Sequence, residues 1–352
     1  MNYFIKGIEQ QSLTIEALYP DINTPVYQDL IEFYNDFKSD EAVLYAYTSG
    51  STGIPKKIAI DKKYMMESAI MTLSFLKIPS GVTTLLGMPL RFIGAKMVVV
   101  RALVGSLKLV VTEPSSHPLE GLDKAPYFAA MTPHQVASSL DNEHDYELLR
   151  KIKVLIIGGG PVNSDLLQRI KDFENEIYST YGMTETLSHI ALKKLNRVSK
   201  SSYVPFEGVV LEKTESGTLK ISCSRIGVSD LKTNDLVSFN ADGSFDIEGR
   251  LDNVINSGGI KIQIEKLECK IQEFIKTPFN VSFVPDDLLG QKCVLISTYE
   301  ISENLQEKIH SALPKYEAPK VYLKAEKLPV TLSGKPDRKA LAALAFDLYK
   351  NN

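Results

Sequence analysis

A repeated order of apolar strand, glycine-rich loop and capped helix constrains this chain more than any other feature of its sequence. The apolar run Val154–Ile157 predicts a buried strand, which leads through glycines 158–160 to Asn163, the predicted cap of a helix through Phe173. The order recurs upstream, where Thr132–Gln135 has the Thr, Pro and Gln of a capping box. Strands that alternate with helices form a layered α/β sheet.

The sequence after about residue 200 predicts shorter strands and a second domain. Asp242–Gly243 predicts a hairpin turn between strands at Leu236–Asn240 and Ser244–Ile247. The remaining predicted elements are a helix at Ile264–Phe274, strands at Val281–Val284 and Cys293–Tyr299, a helix at Glu303–Leu313, a strand at Val321–Lys324 and a helix after Asp337. At about 150 residues per domain, 352 residues predict two domains, which we expect at 1–251 and 252–352.

Composition excludes several classes of protein. Forty basic against forty-three acidic residues give a net charge of −3, which argues against a nucleic-acid-binding protein. The apolar runs are too short to cross a bilayer, and MNYFIKGIEQ does not have the pattern of a signal peptide. Cys223, Cys269 and Cys293 are odd in number and widely spaced, which predicts reduced thiols, a cytoplasmic location and no structural zinc.

The segment Tyr47–Lys57 follows a predicted strand and is rich in hydroxyl groups and glycines. Glycines let backbone N–H groups approach an anion, hydroxyls add donors, and a lysine adds a positive charge, so this composition suits a polyphosphate. The alternative is a polar surface turn. The spacing is not that of a Walker A loop. The candidate phosphate-binding residues are Thr48, Ser49, Gly50, Ser51, Thr52, Gly53 and Lys56.

This segment resembles the phosphate loop of the adenylate-forming acyl-CoA synthetases, and further motifs of that family follow in order. They are Gly158-Gly159-Gly160, Tyr181–Thr186, Thr233–Asp235, Gly249–Asp252, Ser257–Lys261 and Leu328–Arg338. The resemblance implies a large layered α/β N-terminal domain and a small, mobile α+β C-terminal domain. It also implies ATP, Mg²⁺ and coenzyme A as reactants or cofactors. The phosphate loop begins only at residue 47, so we expect a shortened N-terminal region, with support from a partner subunit or a second copy of the chain.

The resemblance implies roles for most residues of the nucleotide site. Gly158, Gly159 and Gly160 would contact adenine, and Lys261 would join the nucleotide contacts from the domain-joining segment. Tyr181 would stack on adenine, although an isolated tyrosine is more often a core residue. Thr184 would bind a phosphate oxygen, and Glu185 would hold Mg²⁺, which prefers oxygen ligands.

Two further residues complete the implied nucleotide site. Asp235 and Arg250 would bind the ribose, although an Asp in such a segment is more often a turn former.

Two residues of the C-terminal part are implied to act through domain movement. Lys335 would bridge the carboxylate and α-phosphate oxygens during adenylation, whereas most lysines on loops are simply solvated. Asp252 matches the hinge position between the two half-reactions, and its alternative is a helix or turn cap.

The segment Pro89–Arg101 resembles that of the o-succinylbenzoate–CoA ligases of menaquinone biosynthesis. Lys96 and Arg101 interrupt an apolar run, and Arg91 precedes them. One such cation could extend to water, but several favour a pocket for an additional anionic group. By the resemblance, Arg101 and Ser188 would bind the aromatic carboxylate of the substrate.

The chain is therefore predicted to be an AMP-forming acid–thiol ligase, with o-succinylbenzoate as the leading acid. The alternatives are another acyl or aryl acid, transfer of the adenylate to a carrier protein, and a non-catalytic nucleotide-binding module. Glu185 and Lys335 argue against the module. His134 and His189 fall near the expected acid pocket, where we interpret them as surface or core residues.

Overall fold

The computed structural model of the chain describes residues 14–18, 24–47, 57–331 and 336–351. They divide into two compact units. The first lies within Met1–Leu211, Ile221–Leu231 and Asn240–Phe245, and the second within Glu212–Lys220, Lys232–Phe239 and Asp246–Asn352. The domain boundary expected at residues 251 and 252 stays a prediction.

Helices and strands alternate through most of the first unit, and their labels run in chain order through both units. The helices are α1 (Pro25–Lys38), α2 (Lys62–Phe75), α3 (Ile93–Val104), α4 (Pro133–Leu140), α5 (Glu143–Lys151), α6 (Ser164–Ile170), α7 (Ile264–Ile271), α8 (Glu303–Ala312) and α9 (Arg338–Lys350). The strands are β1 (Thr14–Leu18), β2 (Val43–Tyr47), β3 (Lys57–Asp61), β4 (Thr83–Leu86), β5 (Lys108–Val111), β6 (Phe128–Met131), β7 (Val154–Ile157), β8 (Glu176–Gly182), β9 (His189–Lys194), β10 (Val204–Pro205), β11 (Val210–Lys213), β12 (Thr218–Cys223), β13 (Val228–Phe239), β14 (Phe245–Arg250), β15 (Val254–Ser257), β16 (Ile260–Gln263), β17 (Phe279–Asp286), β18 (Gly290–Ser297) and β19 (Val321–Lys324).

The largest sheet has the strand order β1-β5-β4-β6-β7-β8-β9-β10. Pairing is parallel from β1 through β8 and antiparallel at β9 and β10. Leu85, Ala129, Leu155 and Ile177 are partners across β4, β6, β7 and β8, and each is fully buried. Such a row is typical of a parallel sheet covered by helices, which confirms the predicted α/β class.

Local sequence signals set several elements of the first unit. The Thr132 side chain accepts from the Gln135 N–H and the Gln135 side chain accepts from the Thr132 N–H, so the predicted capping box is confirmed. Asn163 caps α6 as predicted, but the helix ends at Ile170 rather than Phe173. The physical reason is the Asn196 side chain, which donates to the Phe173 carbonyl oxygen at 2.7 Å and holds that residue in a turn.

Glycine turns join the short strands of the remaining sheets. The predicted hairpin at Asp242–Gly243 is confirmed, with Gly243 at φ +82° between β13 and β14, in a sheet of order β11-β12-β13-β14. Gly258 and Gly259 have φ values of +58° and +83°, and they connect β15 to β16 in the five-stranded sheet of the second unit. Two consecutive positive φ angles match the right-handed twist of a hairpin.

Apolar side chains form the core of the second unit between the five-stranded sheet and its helices. Leu267 and Ile271 of α7 pack in one buried cluster with Val281 of β17, and Leu341 of α9 packs in another with Val294 of β18. Each of these side chains is no more than 1% exposed. Within the described ranges, no helix combines the length and the apolar composition needed to cross a membrane.

Candidate active site

Arg101 is a buried cation in the middle of the first unit. It lies in α3, is 1% exposed, and donates from Nη2 to the Oγ of Ser188 at 2.7 Å. Among the described residues, its Nε has no hydrogen-bond partner and no carboxylate forms an ion pair with it. Burial lowers the pKa of the guanidinium to about 9. A buried charge without a counter-ion destabilises the folded state, and such groups concentrate at binding sites for charged ligands.

A chain of hydrogen bonds extends from Arg101 across the interior. Ser188 Oγ lies 3.2 Å from Nδ1 of His189, and His189 Nε2 lies 3.0 Å from Oγ1 of Thr72 in α2. Thr72 in turn donates to the carbonyl oxygen of Ser68 at 3.1 Å. Burial, followed by the nearby charge of Arg101, lowers the pKa of His189 well below its ordinary value. The imidazole is therefore neutral at physiological pH.

A strained turn sets the position of Ser188. The Ser188 N–H donates to the Thr186 carbonyl oxygen at 2.7 Å, with Leu187 between them at φ 64° and ψ −37°. This is a γ-turn with positive φ, which is rare for residues other than glycine. Thr186 Oγ1 also donates to the Ser188 carbonyl oxygen at 2.7 Å. Gly182 lies against the turn so closely that a Cβ would be 2.2 Å from the Ser188 carbonyl oxygen.

Two of the three glycines after β7, Gly158 and Gly159, have structural reasons for their identity. A Cβ at Gly158 would lie 2.5 Å from Oγ1 of Thr180, and Gly159 has φ +85°. A Cβ at Gly160 would make only ordinary contact, at 3.6 Å from Pro133. The backbone therefore approaches β8 closely at this point, and the adenine contact implied for these glycines stays a prediction.

Tyr181 lies within an aromatic cluster at the end of β8. Its ring meets Phe245 edge to face at 5.4 Å between centroids and lies 5.8 Å from Tyr203. Tyr203 also stacks on Phe245 and shares a hydrogen bond of 3.0 Å with Ser179. The half-buried Tyr181 ring is thus held in place from within the protein, and its stacking on adenine stays a prediction.

Thr184 and Glu185 lie in the short 3₁₀ helix Thr184–Thr186 that follows β8. Thr184 is half-buried, and Glu185 is exposed. The described residues contain no group of three His, Cys, Asp or Glu side chains that could hold a metal ion. Mg²⁺ bound between phosphates needs only one or two carboxylates from the protein, so the exposed Glu185 fits this kind of ligand set.

The second unit brings together three of the predicted residues. Arg250 donates from Nε and Nη2 to the two carboxylate oxygens of Asp252, both at 2.9 Å, and from Nη1 to Asp235 at 3.1 Å. The bond to Asp252 raises the pKa of Arg250. Partial burial raises the pKa of Asp252, but the bonds from Arg250 and Asn234 outweigh it and leave that pKa below its ordinary value. Arg250 therefore connects Asp235, which is predicted to bind the ribose, to Asp252, which is predicted to be the hinge.

Several predicted residues lie apart from these groups. Lys261 is exposed on β16 of the second unit. The candidate phosphate-binding residues 48–53 and 56, and Lys335, lie outside the described residues.

The ends of the segment that carries Lys335 are held by the second unit. Val330 and Pro336 form an antiparallel bridge. Arg338 forms a two-point ion pair with Glu268 of α7, with both bonds at 2.7 Å, and Glu268 also accepts from the Val281 N–H at 2.8 Å. The chain after residues 332–335 is thus attached to α7 through Arg338, and the bridge joins Val330 to the start of that chain.

The structure does not bring Lys96 to Arg101. Both residues lie in α3, but five positions apart they point to different sides of the helix. The Lys96 ammonium lies 4.7 Å above the ring of Phe33 in α1. Burial lowers the pKa of Lys96. The carboxylates of α1 partly offset this decrease, and Asp36 has the largest effect among them. Lys96 therefore faces an acidic helix, and pairing of the two cations at one anion is not supported.

The sequence gives no signal for the roles of Thr72 and Glu268. The interpretation of His189 as a surface or core residue agrees with its burial, but it does not predict that both ring nitrogens are in hydrogen-bond contact. Thr72 lies 117 residues from His189 in the sequence, so the sequence pattern contains no signal for this contact.

Comparison with known proteins places these residues in a family context. The model of a family described as AMP-binding enzyme matches residues 9–247. A solved structure from Dyadobacter fermentans, described as an acyl-CoA synthetase (AMP-forming)/AMP-acid ligase II-like protein, is 34% identical. The match covers 91% of this chain and 94% of that one, with a TM-score of 0.63.

More distant relatives differ in the substrates that their names give. The D-alanine–D-alanyl carrier protein ligase of Staphylococcus epidermidis is 26% identical over 359 residues, which cover 89% of this chain and 73% of that protein. The o-succinylbenzoate coenzyme A synthetase of Bacillus subtilis, solved with ATP and magnesium, is 22% identical with a TM-score of 0.72 over 84% of this chain and 69% of that one. The second likeness, at this identity, concerns the fold.

Proposed function

Since the chain belongs to the AMP-binding enzyme family and is an AMP-forming ligase, we propose that its acid substrate carries a second anionic group. The leading candidate for this acid is o-succinylbenzoate. Coenzyme A is the proposed thiol. The reaction activates one carboxylate of the acid by joining it to AMP, and then transfers the acyl group to sulfur.

The observation that carries this proposal is the state of Arg101. The protein supplies one hydroxyl to the guanidinium and, among the described residues, no carboxylate, and it leaves Nε without a partner. A substrate carboxylate would supply the missing negative charge and would accept hydrogen bonds from a guanidinium in its preferred geometry. Binding of the acid would then offset the unfavourable free energy of burying the Arg101 charge.

The proposed first half-reaction joins two anions. A carboxylate oxygen of the acid attacks the α-phosphorus of ATP, the bond to the bridging oxygen breaks, and pyrophosphate leaves with the electron pair. Positive charge and hydrogen-bond donors must neutralise the phosphates as this happens. We assign the phosphate contacts to Thr48, Ser49, Gly50, Ser51, Thr52, Gly53, Lys56 and Thr184, and the bridging contact to Lys335.

The other nucleotide contacts are assigned by the same resemblance. Glu185 would hold Mg²⁺, which neutralises the phosphates when bound. Asp235 and Arg250 would bind the ribose, with Tyr181 and glycines 158–160 at adenine and Lys261 nearby. In the second half-reaction the thiol sulfur attacks the acyl carbon, its proton goes to solvent, and AMP leaves.

Asp252 is the proposed hinge between the two half-reactions. Arg250 holds both of its carboxylate oxygens, and the Asn234 side chain donates to one of them at 3.2 Å. A backbone rotation at Asp252 would have to break these bonds or carry Arg250 with it. This contact is a reason for the hinge to have two preferred states rather than a continuous range.

A second candidate function is the transfer of an amino acid to a carrier protein, which the names of the Staphylococcus relatives suggest. An amino acid brings an ammonium group to the acid site. Arg101 would repel that ammonium if the two lay close together, because the described residues provide no carboxylate between them. Arg101 therefore favours an anionic substrate over D-alanine.

Exchange of labelled pyrophosphate into ATP, measured with a panel of acids, tests the proposal. The panel contains o-succinylbenzoate, 4-oxo-4-phenylbutanoate, which has the same skeleton but lacks the aromatic carboxylate, and D-alanine. We expect o-succinylbenzoate to support exchange with a kcat/KM at least about tenfold above that of 4-oxo-4-phenylbutanoate, because the contact with Arg101 is worth more than about 1.4 kcal/mol. Mass spectrometry then identifies the CoA thioester.

Two results would contradict the proposal. If o-succinylbenzoate and 4-oxo-4-phenylbutanoate supported equal exchange, the enzyme would not recognise a second anionic group on its substrate. Exchange with D-alanine alone, followed by acylation of a carrier protein and not of coenzyme A, would support the second candidate.

A further inference from the structure

We infer that His189 is a positioning residue, which acts through Ser188 to orient the guanidinium of Arg101 toward the second anionic group of the acid. This inference rests on the proposed function of Arg101. Neither His189 nor Thr72 touches the reacting atoms in this scheme. Their contribution is to fix which way the hydrogen bonds of the site run.

The two ends of the hydrogen-bond chain determine its direction. A guanidinium donates and never accepts, so Ser188 Oγ must accept from Arg101. A carbonyl oxygen only accepts, so Thr72 must give its hydroxyl proton to Ser68. The Thr72 oxygen is then the acceptor for His189, which places the imidazole proton on Nε2. Nδ1 remains an acceptor, and the Ser188 proton points to it.

This order of donors and acceptors strengthens the contact at Arg101. A hydroxyl that donates its proton to a neutral imidazole has a more negative oxygen, so it accepts more strongly from the guanidinium. The rotation of the Ser188 hydroxyl is also restricted, because in the part of the chain that the structure describes its proton has one acceptor, Nδ1 of His189 at 3.2 Å. Nη2 is therefore engaged on the Ser188 side, and the unpartnered Nε of Arg101 remains for the ligand.

Packing holds the imidazole in this orientation. His189 is 7% exposed, and its ring meets Phe206 edge to face at 5.5 Å between centroids. The γ-turn at Leu187 and the Thr186 side chain fix the backbone of Ser188 from the other side. The chain from Thr72 to Arg101 is thus built from groups with little freedom to rotate.

Substitutions that keep one ring nitrogen at a time test the inference. In His189→Asn the side-chain oxygen takes the place of Nδ1 and accepts from Ser188. In His189→Gln the side-chain nitrogen takes the place of Nε2 and contacts Thr72 instead. We expect KM for o-succinylbenzoate to rise about tenfold in His189→Gln and to stay within about threefold of the parental value in His189→Asn. KM for ATP should not change in either variant.

A double substitution separates positioning from packing. In a Ser188→Ala background the link to Arg101 is already broken, so His189→Gln should add no further increase in KM for the acid. Urea unfolding of each variant identifies any general loss of structure. If His189→Gln does not fold, Thr72→Val must raise KM for o-succinylbenzoate instead, because it removes the acceptor that holds the imidazole proton on Nε2 and leaves Ser188 and Arg101 in place.

The outcomes distinguish this inference from the proposed function. If Arg101→Met leaves KM for o-succinylbenzoate unchanged, the function assigned to Arg101 is wrong. If Arg101→Met raises that KM while His189→Gln and Ser188→Ala do not, the function stands and the positioning inference is overturned. Equal effects of His189→Asn and His189→Gln would also overturn it, because they would reflect ring volume rather than the acceptor at Nδ1.

Discussion

Replacement of Arg101 by methionine should improve the stability of the protein and impair its use of a doubly charged acid. Methionine fills much of the volume of the arginine stem and carries no charge. Among the described residues, the buried guanidinium has one hydrogen bond, to Ser188, and no counter-ion. The two effects therefore have opposite signs, which an ordinary core residue does not show.

The magnitude follows from the burial of the charge. Burial lowers the pKa of the guanidinium to about 9, and at about 1.4 kcal/mol per pKa unit this shift corresponds to roughly 5 kcal/mol of unfavourable burial. Part of this is offset by the bond to Ser188 and by packing of the stem. We expect Arg101→Met to raise the free energy of unfolding by about 1–4 kcal/mol.

The loss of substrate binding is of similar size. A hydrogen bond to a charged group contributes about 1.5–3 kcal/mol. Without it, KM for o-succinylbenzoate should rise about 30-fold or more, which corresponds to about 2 kcal/mol. KM for 4-oxo-4-phenylbutanoate, which lacks the second carboxylate, should change little.

Urea unfolding and pyrophosphate exchange measure the two effects separately. Arg150→Met is the matched control, because Arg150 is half-exposed on α5 and its loss removes a cation without opening the core. This control should change neither quantity by much. The reasoning is refuted if Arg101→Met destabilises the protein and raises KM for both acids equally, since Arg101 would then be a structural residue.

Three further predictions concern the hinge, the second cation and the buried histidine. Asp252→Pro should leave pyrophosphate exchange largely intact and slow thioester formation. Equal loss of both half-reactions would contradict the proposal that Asp252 is the hinge. Lys96→Met should leave KM for o-succinylbenzoate unchanged, because the Lys96 ammonium lies over the ring of Phe33. An increase in this KM would indicate that Lys96 does contact the acid. The pKa of His189 is lowered in the folded state, so the unfolded state binds the proton first, and stability is lost as pH falls below about 6.5. His189→Asn should flatten this slope in urea unfolding by up to about 1.4 kcal/mol per pH unit, and an unchanged slope would contradict the neutral imidazole.

Local signals in the sequence predicted much of the fold. The capping box at Thr132 and the turn at Asp242–Gly243 are set by residues a few positions apart, and both are confirmed. The helix predicted through Phe173 is shorter, because Asn196 binds the Phe173 carbonyl oxygen from a distant part of the chain. A helix end that depends on such a contact has no local signature.

The same distinction applies to the candidate site. The resemblance to known ligases indicated Arg101 and Ser188, and the structure places them 2.7 Å apart. The spacing of Lys96 and Arg101 suggested a shared anion, but five residues along a helix separate their directions. His189 and Thr72 could not be paired from sequence, since their contact depends on how α2 packs beside the start of β9.

The close approach at Gly182 has a practical consequence for redesign of the substrate range. Any side chain at this position would collide with the backbone of Ser188, so a saturation library that includes residue 182 would consist mainly of misfolded members. Under the proposed function, selection for ligases of new acids should instead vary residues 101 and 188 and keep the glycine constant, because substitutions at those two positions would change the charge presented to the acid.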